Sequence, residues 1–337
     1  MTMGRNNYFR FGVEIELLLE SPGKKHKTWE SLAKDLSKRL TRAAIRNRVD
    51  DSNLYAEWSI VREVTVQDPA GRNPYQYGVE LVSPIHNNTS IPTLQAELIT
   101  IFNIVNTTTT LIPTPRCSSH IHVSRSPTPF SPLELAALVK ATLYFEPALD
   151  ALLPAERCNP NFSHWTQSPR CANNPALSGL SLSQCLSQID LAASSPASME
   201  GDTRPIIDIM NLVSKDSRYG VIRQKKAHFV RGKTYKWDFS GLLATCDTGD
   251  VVDRGIGGTV EFRQPPGSVR AEDAVVWVTL GVAFVAGAVL VGQEIQGDVE
   301  EEGGSLEELW GVLETGREVL GWEGLGVLEG LFAGVGR

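Results

Sequence analysis

The sequence predicts an α+β protein built around a sheet whose concave side carries an active site. Two observations predict it. Four short segments alternate apolar and polar residues as half-buried strands do, and each offers ionisable groups from one face. They are Glu14 and Glu16 in Phe11–Leu17, Glu80 in Gly78–Val82, His120 and His122 in Ser119–Val123, and Glu261 and Arg263 in Thr259–Arg263. Between them lie longer stretches with apolar residues at helical spacing. Glu14 and Glu16 are two residues apart, so their carboxylates share a face and repel. An exposed edge strand would solvate them, but the run from Gly12 to Leu19 is apolar enough to be partly buried, and a divalent cation is the expected neutraliser.

Taken in order, Tyr8–Glu20 reads as the first strand, stopped by Ser21-Pro22-Gly23. Thr28 is the expected N-cap of a helix to about Ile45, with Leu32, Leu36 and Leu40 on one stripe. Trp58–Gln67 and Gln76–Val82 read as strands of a hairpin, separated by the Gly/Pro-rich turn Asp68–Pro74. A helix follows over Ile91–Val105, then a β-type run, Thr107–Thr110, leading to the histidine strand. Ser131-Pro132 opens a helix to about Leu153. Pro154–Pro205 is the least regular stretch and reads as an insertion or lid. Tyr235–Leu243 and Gly257–Gln264 read as strands. Ala274–Gly292 holds no charge. Acidic residues near both ends and the lack of a flanking Lys/Arg cluster make it a buried central helix rather than a membrane span. On this reading residues 1–297 form a catalytic domain. Residues 298–337 form a helical tail, interrupted by glycines and packed on the domain or at an interface.

Composition narrows the class. The 337 residues allow one large domain or two ordinary ones, and 42% hydrophobic with 21% charged residues is typical of a globular protein. The net charge is −7, and 298–337 alone carries −8, leaving about +1 for the rest. No basic patch points to nucleic acid. Five cysteines, odd in number and without CxxC spacing, argue against a disulfide framework or structural zinc. Met1–Arg10 lacks an apolar signal core, so a cytoplasmic location is expected.

The clustered groups fit one chemistry. Carboxylate oxygens with an imidazole suit Mg²⁺ or Mn²⁺, and Arg presents a fork to phosphate oxygens. Together they describe a site that holds metals against a nucleotide triphosphate. There is no Walker A sequence and no Gly-rich dinucleotide fingerprint. A metal-dependent hydrolase using the same groups to activate water is the alternative, as is a non-catalytic nucleotide-binding protein; ATP dependence of turnover separates them.

Phe11-Gly12-Val13-Glu14-Ile15-Glu16, Gly78-Val79-Glu80-Leu81-Val82-Ser83-Pro84, Cys117-Ser118-Ser119-His120-Ile121-His122-Val123 and Thr259-Val260-Glu261-Phe262-Arg263-Gln264-Pro265 together resemble the motif series of the amidoligases. These are carboxylate–amine ligases related to glutamine synthetase and glutamate–cysteine ligase, and the set looks most like the fungal members. The resemblance implies a curved, mainly antiparallel, glutamine synthetase-like sheet with helices on its convex face. It implies ATP with Mg²⁺ or Mn²⁺, and an amide or peptide bond formed through an acyl phosphate from a small-molecule or peptide carboxylate and an amine. It implies Glu14, Glu16, Glu80, Glu261 and His120 as metal ligands, His122 and Ser124 beside the nucleotide phosphates, and Arg263 on the transferred phosphoryl group. The family's second strand carries Trp, four residues, Asp, one residue, Ser; here Trp58, Glu63 and Thr65 stand in that pattern. Glu63 and Asp238 are the candidates for accepting the amine's proton. Arg157 and Asn159 resemble an Arg-x-x-Asn feature at shorter spacing, and the Lys/Arg-rich stretch Ser214–Lys236 reads as either a solvated loop or a cover for phosphates.

Overall fold

The computed structural model describes residues 8–49, 55–66, 73–158, 166–214, 228–230, 232–245 and 258–335. The first elements are β1 (Tyr8–Glu20), α1 (Trp29–Arg42), β2 (Asn47–Val49), β3 (Trp58–Arg62), β4 (Gln76–Val82), β5 (His86–Asn87), α2 (Ile91–Thr108), β6 (Thr110–Leu111) and β7 (Ser119–Ser126). Then come α3 (Pro132–Tyr144), α4 (Glu146–Ala151), α5 (Ala155–Cys158), α6 (Leu182–Ala193), α7 (Pro196–Met199) and α8 (Arg204–Asn211). The rest are β8 (Leu212–Ser214), β9 (His228–Val230), β10 (Trp237–Asp238), β11 (Val260–Phe262), α9 (Ala271–Val291), α10 (Leu306–Leu320) and α11 (Gly326–Ala333). The chain is thus mixed α+β, with mostly antiparallel pairing. It divides into two compact units: Arg10–Ile121 with Pro265–Thr279, and Met1–Phe9, His122–Gln264 and Leu280–Arg337.

In the first unit the strand order is β7-β1-β4-β3-β2, with β5 and β6 also on β1. The predicted hairpin is present, since β3 and β4 pair antiparallel. β1 and β4 pair antiparallel from Glu14↔Val82 to Glu20↔Gln76. Phe11, Val13, Ile15, Leu17 and Leu19 are buried, as the alternation requires, and Leu18 is buried too, among Val66 and Cys117. α1 begins where Thr28 was expected to cap it: its Oγ1 accepts the Ser31 N–H at 3.2 Å. Such a cap contributes about 1 kcal/mol. Leu32, Leu36 and Leu40 form its buried stripe.

Two boundaries in this unit differ from the sequence expectation. β3 ends at Arg62 rather than Gln67, because the Glu63 carboxylate turns onto Thr65 and closes a local turn. α2 runs through Thr107 and Thr108, which the β-type run had placed in a strand. Thr107 Oγ1 donates to the Asn103 carbonyl at 2.8 Å, and Thr109 Oγ1 does the same to Val105. These bonds back to the preceding turn let β-branched residues end a helix.

In the second unit β10 and β11 pair antiparallel, matching Trp237 with Phe262 and Asp238 with Glu261. Trp237 stacks on Phe262 at 4.4 Å between ring centroids. The strand expected over Tyr235–Leu243 shrinks to two residues, because Asp238 Oδ1 accepts the Ser240 N–H and hydroxyl and turns the chain into a short 3-10 segment, Ser240–Thr245. β11 covers Val260–Phe262 of the strand expected over Gly257–Gln264; residue 257 and the preceding loop lie outside the described residues. The helix expected to Leu153 divides at Phe145, where Pro147 cannot supply the N–H that a continuous helix needs. Pro154–Pro205 holds more regular structure than expected, including α6, whose Ser181 and Gln184 form a reciprocal capping box.

α9 is the one helix among the described residues long and apolar enough to cross a membrane, but 83% of its most apolar window is buried inside the protein. In the second unit its Leu280–Val291 part packs against α10. A Cβ on Gly316 would stand 1.9 Å from the Ala283 carbonyl oxygen, and one on Gly287 would stand 2.0 Å from that of Val312. Two glycines therefore bring the helices together, and Gly316, expected to interrupt the tail helix, lies inside it.

Candidate functional site

Register assembles the acidic residues of the first unit. β1 and β4 pair so that Glu16 stands directly opposite Glu80, and Val61 of β3 flanks Glu80 on its other side. Residues two apart on a strand point the same way, so Glu14 joins them. The chain after β3 adds Glu63, and the start of β7 adds His120. Ligand atoms of Glu14, Glu80 and His120 all lie within 4.8 Å of one another, as do those of Glu16, Glu63 and Glu80. Glu80 belongs to both groups.

The members are held differently. Glu16 is 7% exposed, and its Oε2 accepts the Ser118 N–H at 2.7 Å. His120 is buried, with Nδ1 3.4 Å from Glu14 Oε2. Glu63 Oε1 accepts the Thr65 N–H at 2.7 Å and the Thr65 hydroxyl at 2.5 Å. Glu63 and Thr65, at the Asp-x-Ser positions of the second-strand pattern, are thus one hydrogen-bonded unit, and the longer acid still reaches its hydroxyl. Gly78 makes room beneath them, because a Cβ there would stand 1.8 Å from the Glu63 carbonyl oxygen. Oxygen donors with a single imidazole fit a hard cation such as Mg²⁺ or Mn²⁺, and neither group contains a cysteine that would favour a softer metal.

The second unit gathers the other predicted residues. Glu261 Oε1 is paired with Arg263 Nη1, and His122 Nε2 lies 3.8 Å from the same oxygen. The other ring nitrogen of His122 is 3.1 Å from the Thr259 hydroxyl. Thr259, Glu261 and Arg263 are at i, i+2 and i+4, so strand alternation was the signal that could have included Thr259. Ser124 is buried on β7. Asp238 is buried opposite Glu261; burial first, and then the Glu261 charge, push its carboxyl above the ordinary range.

The raised carboxyl sets the sign of a pH effect. The folded state holds the Asp238 proton more tightly than the unfolded chain, so stability falls as pH rises through the window above the ordinary carboxylate value. Asp238→Asn is expected to be more stable than wild type at pH 7 without added divalent cation, and no more stable near pH 3. Urea unfolding at the two pH values checks this; a difference independent of pH would refute it.

Sequence reasoning did not single out Glu146 and Asp150, which hold Lys236. Lys236 belongs to the basic stretch read as a possible phosphate cover, yet it is buried and its ammonium is engaged by these two carboxylates. Residues 215–227 and 231 of that stretch, and Asn159, lie outside the described residues. Arg157 is buried, with its guanidinium donating to the backbone carbonyls of Arg263 and Gln264.

Comparison with known proteins agrees with the first three motifs of the series. The sequence family described as "Putative amidoligase enzyme" matches residues 7–168, a span that includes Glu14, Glu16, Glu63, Glu80, His120, His122, Ser124 and Arg157 and ends before Glu261 and Arg263. Comparison with curated proteins gave no match. Over residues 7–168, just under half of the chain, the sequence is similar to the amidoligase family.

Proposed function

We propose that the protein is an ATP-dependent carboxylate–amine ligase on a glutamine synthetase-like fold, acting in the cytoplasm on a small-molecule or peptide acid and an amine. The observation that carries this reading is the Glu14–Glu80–His120 group, which shares Glu80 with Glu16 and Glu63 inside the segment that matches the amidoligases. A carboxylate is a poor electrophile. Its oxygen attacks the γ-phosphorus of ATP, ADP leaves, and the acyl phosphate now carries a leaving group. The amine attacks the acyl carbon, phosphate departs, and the nitrogen gives up a proton as the amide forms.

Each candidate residue has a place in that sequence. Glu14, Glu16, Glu80, Glu261 and His120 would hold Mg²⁺ or Mn²⁺, which when bound offsets the phosphate charge. Arg263, paired with Glu261, has the charge and the fork to stabilise the transferred phosphoryl group. His122 and Ser124 would approach the nucleotide phosphates. Of the two candidate bases, Asp238 is better suited, since burial and the neighbouring Glu261 charge raise its pKa and make it the stronger proton acceptor.

The test is phosphate release from ATP with Mg²⁺ and a pool of amino acids and small carboxylates. Release that requires an added acid and increases with an added amine is the expected result. Calorimetry that finds no ATP binding, with or without metal, would remove the ligase reading. Hydrolysis of an amide or ester that ignores ATP would establish the hydrolase instead.

A further inference from the structure

The backbone of Arg263 is held on both sides by a buried polar network. On one side, the Arg263 N–H donates to the Lys236 carbonyl at 2.9 Å. On the other, Arg157 donates from Nη2 to the Arg263 carbonyl at 3.0 Å and from Nε to the Gln264 carbonyl at 2.8 Å. The two sides meet at α4. Lys236 Nζ donates to Glu146 at 2.6 Å and to both oxygens of Asp150 at 2.7 Å, while the Gln264 side-chain amide also donates to Asp150. Glu146 keeps its second oxygen for the Ser168 hydroxyl, at 2.9 Å. Lys236, Arg157 and Gln264 are 4%, 5% and 0% exposed.

This arrangement sets one ammonium, Lys236, between two carboxylates, while the Arg157 guanidinium donates to backbone carbonyls. A buried ion network is weak evidence for stability, because apolar residues of similar volume often serve a fold as well or better. What this network adds is definition: it fixes the residue across the strand pair from Arg263, the residue after it, and the Arg263 carbonyl, all against one short helix. We infer that Lys236, locked between Glu146 and Asp150, is a positioning residue that fixes Arg263 for the reaction. The inference rests on the reading of Arg263 as the group that stabilises the transferred phosphoryl.

The test separates charge balance from position. Lys236→Met leaves Glu146 and Asp150 without their cation and is expected to unfold at lower urea. The triple variant Lys236→Met/Glu146→Gln/Asp150→Asn removes all three charges and is expected to recover the urea midpoint without recovering the rate. Its kcat for ATP-dependent phosphate release should fall roughly 100-fold, as a small misplacement of a reacting group does, with KM for ATP within about threefold. The Arg263 Nε–H signal in nitrogen-15 NMR of nucleotide-free protein, assigned by its loss in Arg263→Lys, should shift or broaden. Should the triple variant not fold, Asp150→Asn keeps an acceptor for Gln264 and weakens only the hold on Lys236; it should shift the same signal and slow kcat by about 10-fold. An unshifted Arg263 signal overturns the inference whatever the rate, and so does wild-type kcat in the variant. If the wild type itself turns over no ATP, the ligase reading fails, and the NMR signal alone decides whether Lys236 positions Arg263.

Discussion

Replacing Arg263 by alanine is expected to lower kcat for ATP-dependent phosphate release about 1,000-fold, and replacing it by lysine roughly 100-fold, with KM for ATP changed far less. The asymmetry follows from geometry. A guanidinium presents two parallel N–H groups to phosphate oxygens and stays charged when buried, whereas an ammonium offers a point charge on a flexible stem. Charge that grows on the transferred group in the transition state is therefore better matched by Arg263 than by lysine, and not at all by alanine. The alanine variant has a second consequence. Glu261 is 5% exposed, sits opposite the buried Asp238, and would lose its guanidinium partner. Removing one member of a buried ion pair costs roughly 3–5 kcal/mol. The double variant Arg263→Met/Glu261→Gln controls for this, since it removes both charges and should regain most of the stability. Turnover that persists within a few-fold of wild type in a folded Arg263→Ala protein would take the phosphoryl-stabilising role away from this residue.

Much of the first unit could be read from the sequence because its signals are local. β1 and β4 have the predicted bounds, since strict alternation and clear stops at Ser21-Pro22-Gly23 and Ser83-Pro84 leave little choice. Thr28 caps α1 because a short polar side chain before a stripe of leucines has one good use. What stayed hidden was set by distant partners or by short-range side-chain bonds that compete with regular structure. Nothing in the sequence puts Glu16 opposite Glu80 rather than one residue away; that depends on the register of two strands far apart in the chain. β3 and β10 ended early because Glu63 and Asp238 accept hydrogen bonds from residues two positions on, an interaction the apolar pattern does not report. Lys236, by its basic neighbours, reads as part of a solvated loop or a phosphate cover, and only the packing of α4 supplies the two carboxylates that engage it. The break before α4 has a local cause, Pro147, which the reading of one helix to about Leu153 passes over.

Divalent cation should reverse the effect of Glu80→Gln on stability. Without metal, Glu80 and Glu16 are like charges in directly opposed positions on antiparallel strands, an arrangement that costs roughly 0.2–1 kcal/mol per pair. Glutamine keeps the shape and removes the repulsion, so in EDTA the variant should melt at or above the wild-type temperature. Adding Mg²⁺ or Mn²⁺ should stabilise the wild type by RT ln(1 + [metal]/Kd), about 2.7 kcal/mol at a hundredfold excess over Kd. The variant should gain much less, because Glu80 is shared by both groups of candidate ligands and its loss weakens each. The two melting curves should therefore cross as metal is titrated in. Glu63→Gln offers a contrast within the same experiment: it belongs to one group only, and its Oε1 is already occupied by Thr65, so most of the metal response should survive. A wild-type melting temperature that ignores millimolar Mg²⁺ and Mn²⁺ alike would show that these carboxylates tolerate one another through hydrogen bonds such as that from Ser118 to Glu16, and would assign the cluster a structural role instead.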